Sequence, residues 1–135
     1  MSYATERRLL QIAVAIGGLV PVSAGFLGLM GGLGSSTFAD SHYRYLSGLL
    51  LGIGAAYWAT IRGIESRGEL FRTLTLIVAV GGLARLGAAL AIGGNWLVWA
   101  SVAMELVVTP LLALWRERIQ RMDATPPPGY RGPWQ

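Results

Sequence analysis

Two charged residues stand inside otherwise apolar runs of this chain, Arg85 and Glu105. Either type at the middle of a membrane span costs roughly 2.5–3.5 kcal/mol on insertion scales, so each needs a reason to be there. A guanidinium and a carboxylate supply one for each other through paired, charge-assisted hydrogen bonds. The spacing fits that role. Gly93-Gly94-Asn95 reads as a tight turn, with Arg85 ten residues before Asn95 and Glu105 ten after it. At 1.5 Å rise per residue both lie about 15 Å from the turn. An antiparallel hairpin then holds them at matching depth, and a direct intramembrane ion pair is expected. Its first reading is a device that fixes packing and register. Its second is one wall of a polar pocket open to the outer face.

A further polar cluster is Asp40-Ser41-His42-Tyr43-Arg44-Tyr45. Asp40 or Ser41 suits a helix cap, accepting from N–H groups that the first turn leaves unpaired. His42 and Arg44 then fall in the first turn, and Tyr43 and Tyr45 suit headgroup depth. A sharper reading turns Arg44 inward to join Arg85 and Glu105. Two arginines against one glutamate leave a positive charge suited to a carboxylate or phosphate. A metal site from Asp40, His42 and Glu105 has one His and no Cys, a weak donor set, and no metal is expected. His42 as a general base lacks both a nucleophile and an orienting partner, so no catalytic residue and no enzyme activity are expected. The residues name no cofactor.

The elements that hold these residues follow from composition. Of 135 residues, 53% are hydrophobic and 13% charged, with 19 glycines, no cysteine and a net charge of +4. Soluble domains carry about 25% charged residues. The low charge argues for a bilayer rather than water, and against nucleic acid as the partner of the basic balance. All eleven basic residues are arginine. Without cysteine there are no disulfides and no thiolate chemistry. Spanning helices need about 20 mostly apolar residues. Four runs qualify, at about 9–31, 43–61, 73–92 and 96–115. Barrel strands are about half that length and alternate in polarity, which these runs do not. The expected fold is all-α: a polytopic membrane protein with four transmembrane helices in an up-down bundle. Residues 1–123 form that domain, and 124–135 form a Pro-rich tail.

Arginine placement orients the bundle. The two termini and the connector at 62–72 hold nine of the eleven arginines and five of the seven acids, a surplus of four positive charges. That face is expected to be cytoplasmic, in the inner membrane of a bacterium. Arg7 and Arg8 read as anchors of the first span, ahead of a twin-arginine export signal. Gly48-x3-Gly52-x3-Ala56 and Gly28-x3-Gly32 are small-residue stripes that let helices approach closely in lipid. Pro21 and Pro110 are expected to kink the first and fourth spans. Residues 12–19 and 76–83 resemble each other faintly, a weak internal repeat. In the tail, Tyr130, Arg131 and Trp134 are types enriched where partners dock, with Trp134 the expected anchor.

Three segments resemble the domain-of-unknown-function family 4345, small bacterial membrane proteins with four spans. They are Phe38-Ala39-Asp40-Ser41-His42-Tyr43-Arg44-Tyr45-Leu46, Gly81-Gly82-Leu83-Ala84-Arg85-Leu86 and Met104-Glu105-Leu106-Val107-Val108-Thr109-Pro110. The resemblance puts Asp40, Arg44, Arg85, Glu105 and Pro110 at motif positions. It implies the four-span fold and carries no activity. Two functions remain open. One is a non-enzymatic accessory or interaction subunit packed on other membrane subunits, with the tail against a partner. The other is binding or transport of a lipid-like or anionic small molecule from the outer leaflet, at Arg44, Arg85 and Glu105.

Overall fold

A computed structural model describes residues 3–34 and 37–123. The tail, with Tyr130, Arg131 and Trp134, lies outside the described residues. Among these residues there are four helices and no strand: α1 Tyr3–Gly31, α2 Thr37–Thr60, α3 Gly68–Ile92 and α4 Trp96–Asp123. A short 3-10 turn, Ile61–Gly63, follows α2. A π-turn, Met104–Val108, interrupts α4. Helices α1, α3 and α4 are long and apolar enough to cross a membrane. Helix α2 is not among them. Its first turns carry Asp40, His42 and Arg44, and the uncharged stretch from 45 to 61 is about 25 Å long against about 30 Å of hydrocarbon.

The helices outrun their apolar stretches, so their polar ends stand clear of them. Helices α1 and α2 form one antiparallel hairpin. Gly18 lies under the Trp58 ring, whose indole N–H donates to the Ala15 carbonyl at 3.1 Å. Gly25 lies on the backbone of Ser47 and Leu51, Gly28 on the Ser47 side chain, and Gly54 on Pro21 and Val22. The glycine stripe expected on α2 lies elsewhere: Gly52 has no neighbour that a Cβ would meet, and Gly48 meets only the tip of Leu29. Four-residue spacing places small residues on one helix face without saying which face is covered. Gly32 lies just past α1 in a left-handed conformation, φ +62°, so it turns the chain, and it also lies close against the Asp40 and Arg44 side chains of α2.

Helices α3 and α4 form a second hairpin through Gly93, also left-handed at φ +81°. Gly82 lies against Glu105 and Leu106. The hairpins meet at the end that carries Tyr3 and Asp123. There Leu10, Val14, Tyr57, Ile64, Phe71, Leu74 and Ile119 form the buried core. Tyr57 shares a hydrogen bond with Thr75 at 3.1 Å and packs edge-on to Phe71 with ring centroids 5.2 Å apart. Toward the turns the arrangement opens. The first half of α4, residues 96–108, contacts α3 but neither α1 nor α2.

Candidate functional site: an ion pair within the second hairpin

Arg85 lies on the inward stripe of α3. Phe71, Leu74, Val78, Gly82, Arg85 and Ala89 recur at helical spacing, and Phe71, Leu74, Gly82 and Ala89 are buried. Its guanidinium reaches across to Glu105 with both arms: Nε donates to Oε2 at 3.0 Å and Nη2 to Oε1 at 3.1 Å. The Glu105 side chain is 18% exposed and that of Arg85 is 42% exposed. The carboxylate is therefore the covered partner and the guanidinium the open one.

Glu105 lies within the π-turn. Pro110 has no N–H, and its ring crowds the carbonyl four residues earlier, so the regular ladder cannot continue through it. The chain widens just ahead of it. The Thr109 N–H bonds back to Met104 O, and the Thr109 hydroxyl donates to the same oxygen at 2.9 Å. Glu105, three residues on from buried Val102, shares its face and packs on Gly82. Pro110 was legible as a kink; the π-turn was not, because the sequence alone does not say how a helix absorbs a proline.

Arg44 joins a different group. Its Nε donates to Asp40 at 2.8 Å, and its Nη1 donates to the Leu29 carbonyl near the end of α1. Asp40 does not cap α2. It sits within the first turn and accepts from the N–H groups of Leu33 and Gly34, tying the connector to α2. The Arg44 guanidinium beside it, then those amides, hold the Asp40 carboxyl below its ordinary range. His42 stacks on Phe38 one turn away, rings 5° from parallel. Arg44 is thus spent within the first hairpin and Arg85 within the second. The expected positive surplus is absent: each arginine faces its own carboxylate. No group of three potential metal ligands exists among the described residues.

Sequence reasoning missed the most buried charge. Arg116 is 1% exposed at the terminal end of α4. Its guanidinium donates to the carbonyls of Ile64 at 2.8 Å and Glu65 at 2.6 Å, and to Gln120 at 2.7 Å. It closes the open carbonyl end of the α2–α3 connector and packs face-on to Gly68. Around it, Arg7 pairs with Glu65, Arg118 with Glu6, and Arg72 with Glu69 and Glu117. Burial by itself would raise Glu65, but Arg7 and the surrounding donors outweigh it and hold the carboxyl below its usual value. The one available signal was Gly68 opposite an Arg-rich helix end, and spacing alone does not pair them.

Residues 9–116 match the family described as Domain of unknown function (DUF4345). The chain belongs to that family. No curated protein and no solved structure matches it. In this DUF4345 protein the matched stretch contains Asp40, Arg44, Arg85, Glu105 and Arg116, whereas Glu6, Arg7, Glu117 and Arg118 of the terminal end lie outside it.

Proposed function

We propose that this is a non-enzymatic protein of a bacterial inner membrane that binds a small amphiphile from the outer leaflet, between its two hairpins and against Arg85 and Glu105. Helix α2 is the fourth span, shielded by α1 along its length, and the helices run up and down with both ends cytoplasmic. The arginine surplus at the terminal end supports that orientation. One observation carries the binding reading: Arg85 is on the inward stripe of α3 yet stays half open, because residues 96–108 have no contact with α1 or α2. A charge at that depth in lipid marks a functional site by default. The accessory-subunit reading leaned on the tail, which lies outside the described residues, so the amphiphile reading stands first.

Two experiments test this. The chain has no cysteine, so single cysteines report sidedness cleanly. Ser66→Cys should label only from the cytoplasm and Asn95→Cys only from outside. For binding, native mass spectrometry of protein released from a mild detergent should show one amphiphile per chain. That adduct should vanish in the charge-neutral double variant Arg85→Met, Glu105→Met. An adduct equally abundant in the double variant would overturn the site.

A further inference from the structure

The two arms that Arg85 gives Glu105 leave part of its hydrogen-bonding capacity unused. A guanidinium has five N–H groups. Two point at the carboxylate. The other three, both on Nη1 and one on Nη2, have no partner among the described residues. They lie about 15 Å from the turn, close to the middle of a hydrocarbon layer about 30 Å thick. Unmet N–H groups in hydrocarbon are costly. Whatever occupies the opening must therefore bring oxygen acceptors to that depth.

Charge narrows the class. Arg85 is already neutralised by Glu105, and Arg44 by Asp40. A full anion would leave water for a site with no cation to spare, and its desolvation would go unanswered. Depth narrows it again, because phosphate headgroups sit at the surface, not at mid-layer. The α2 stripe that runs on from Tyr57 toward the turn is Ile53, Leu50 and Leu46, and Leu46 is exposed.

Resting on the amphiphile reading above, we infer that the ligand is an uncharged, carbonyl-bearing hydrophobe of the quinone or long-chain ketone class. Its oxygen accepts from the free N–H groups of Arg85 while its apolar body lies along Leu46 and Leu50. Glu105 holds the guanidinium in place and keeps the site neutral. Recognition needs no bond to form or break.

The test uses the full chain in bilayers of a zwitterionic phospholipid, with three probes of equal tail length: a carbonyl-labelled methyl decyl ketone, decyl phosphate and decyltrimethylammonium. The ketone should bind saturably at one per chain, with its infrared carbonyl stretch moved to lower frequency by the guanidinium bonds. Its affinity should fall at least tenfold in Arg85→Met, Glu105→Met. In the native protein it should exceed that of decyl phosphate at least tenfold, a comparison that needs no variant to fold. If decyl phosphate binds as well or better, the ligand class is wrong while the site survives. If no probe binds saturably, the amphiphile reading falls with it.

Discussion

Replacing Gly68 by alanine is the sharpest test of the packing at the terminal end. Gly68 opens α3, and a Cβ built there would lie 2.6 Å from Nη2 and 2.7 Å from Cζ of Arg116. The guanidinium cannot swing aside, because it is buried and held by Ile64, Glu65 and Gln120. Overpacking a filled site costs about 1–3 kcal/mol. Loss of one hydrogen bond from a charged donor adds roughly 1.5–3 kcal/mol. Better helix propensity returns about 0.5–1 kcal/mol. The net expectation is a loss of about 1.5–5.5 kcal/mol, read by reversible unfolding in mixed micelles of mild and denaturing detergent. Gly52→Ala is the internal control: nothing lies within reach of its Cβ, so it should be neutral or slightly stabilising. Adding Arg116→Met should remove most of the extra penalty at Gly68, since the clashing group is gone. If Gly68→Ala behaves like Gly52→Ala, Arg116 is not fixed where we place it, and the argument for the terminal clamp fails.

The Arg85 and Glu105 pair makes a second prediction. Each single removal strands a partly covered charge, so Arg85→Met and Glu105→Met together should destabilise less than the sum of the two alone, a double-mutant cycle read in the same micelles. Strict additivity would mean the two side chains do not hold each other. Asp40 makes a third. Its folded value lies below the ordinary 3.8, so its contribution is complete above that value and is lost as pH falls through the lowered one. The stability gap between the native protein and Asp40→Asn should therefore be widest at neutral pH and shrink below about pH 4. A gap that does not change with pH would show that Asp40 acts without its charge.

Much of this protein follows from sequence alone. Long uncharged runs dictate helices wherever they occur, because a backbone deprived of water must satisfy itself internally. Glycines and asparagine at 93–95 dictate a turn, and equal spacing to either side then puts Arg85 opposite Glu105. The asymmetry of the arginines is likewise written in the chain. What spacing does not carry is which face of each helix is covered. Gly48 and Gly52 have the right interval and lie off the tight crossing, while Gly18, Gly25 and Gly54 carry it because Trp58, Ser47 and Pro21 happen to face them. Arg44 had several carboxylates to choose from, and the nearest in three dimensions was the one four residues away on its own helix. Arg116 looked like one more interfacial arginine until folding brought the Ile64 and Glu65 carbonyls to it. The openness of Arg85 depends on where α1 stops touching α4, a relation between segments far apart in the chain. Local sequence sets the period and the depth of each charge; only the assembled helices set its partner, because partner choice depends on rotations about helix axes that no single helix determines.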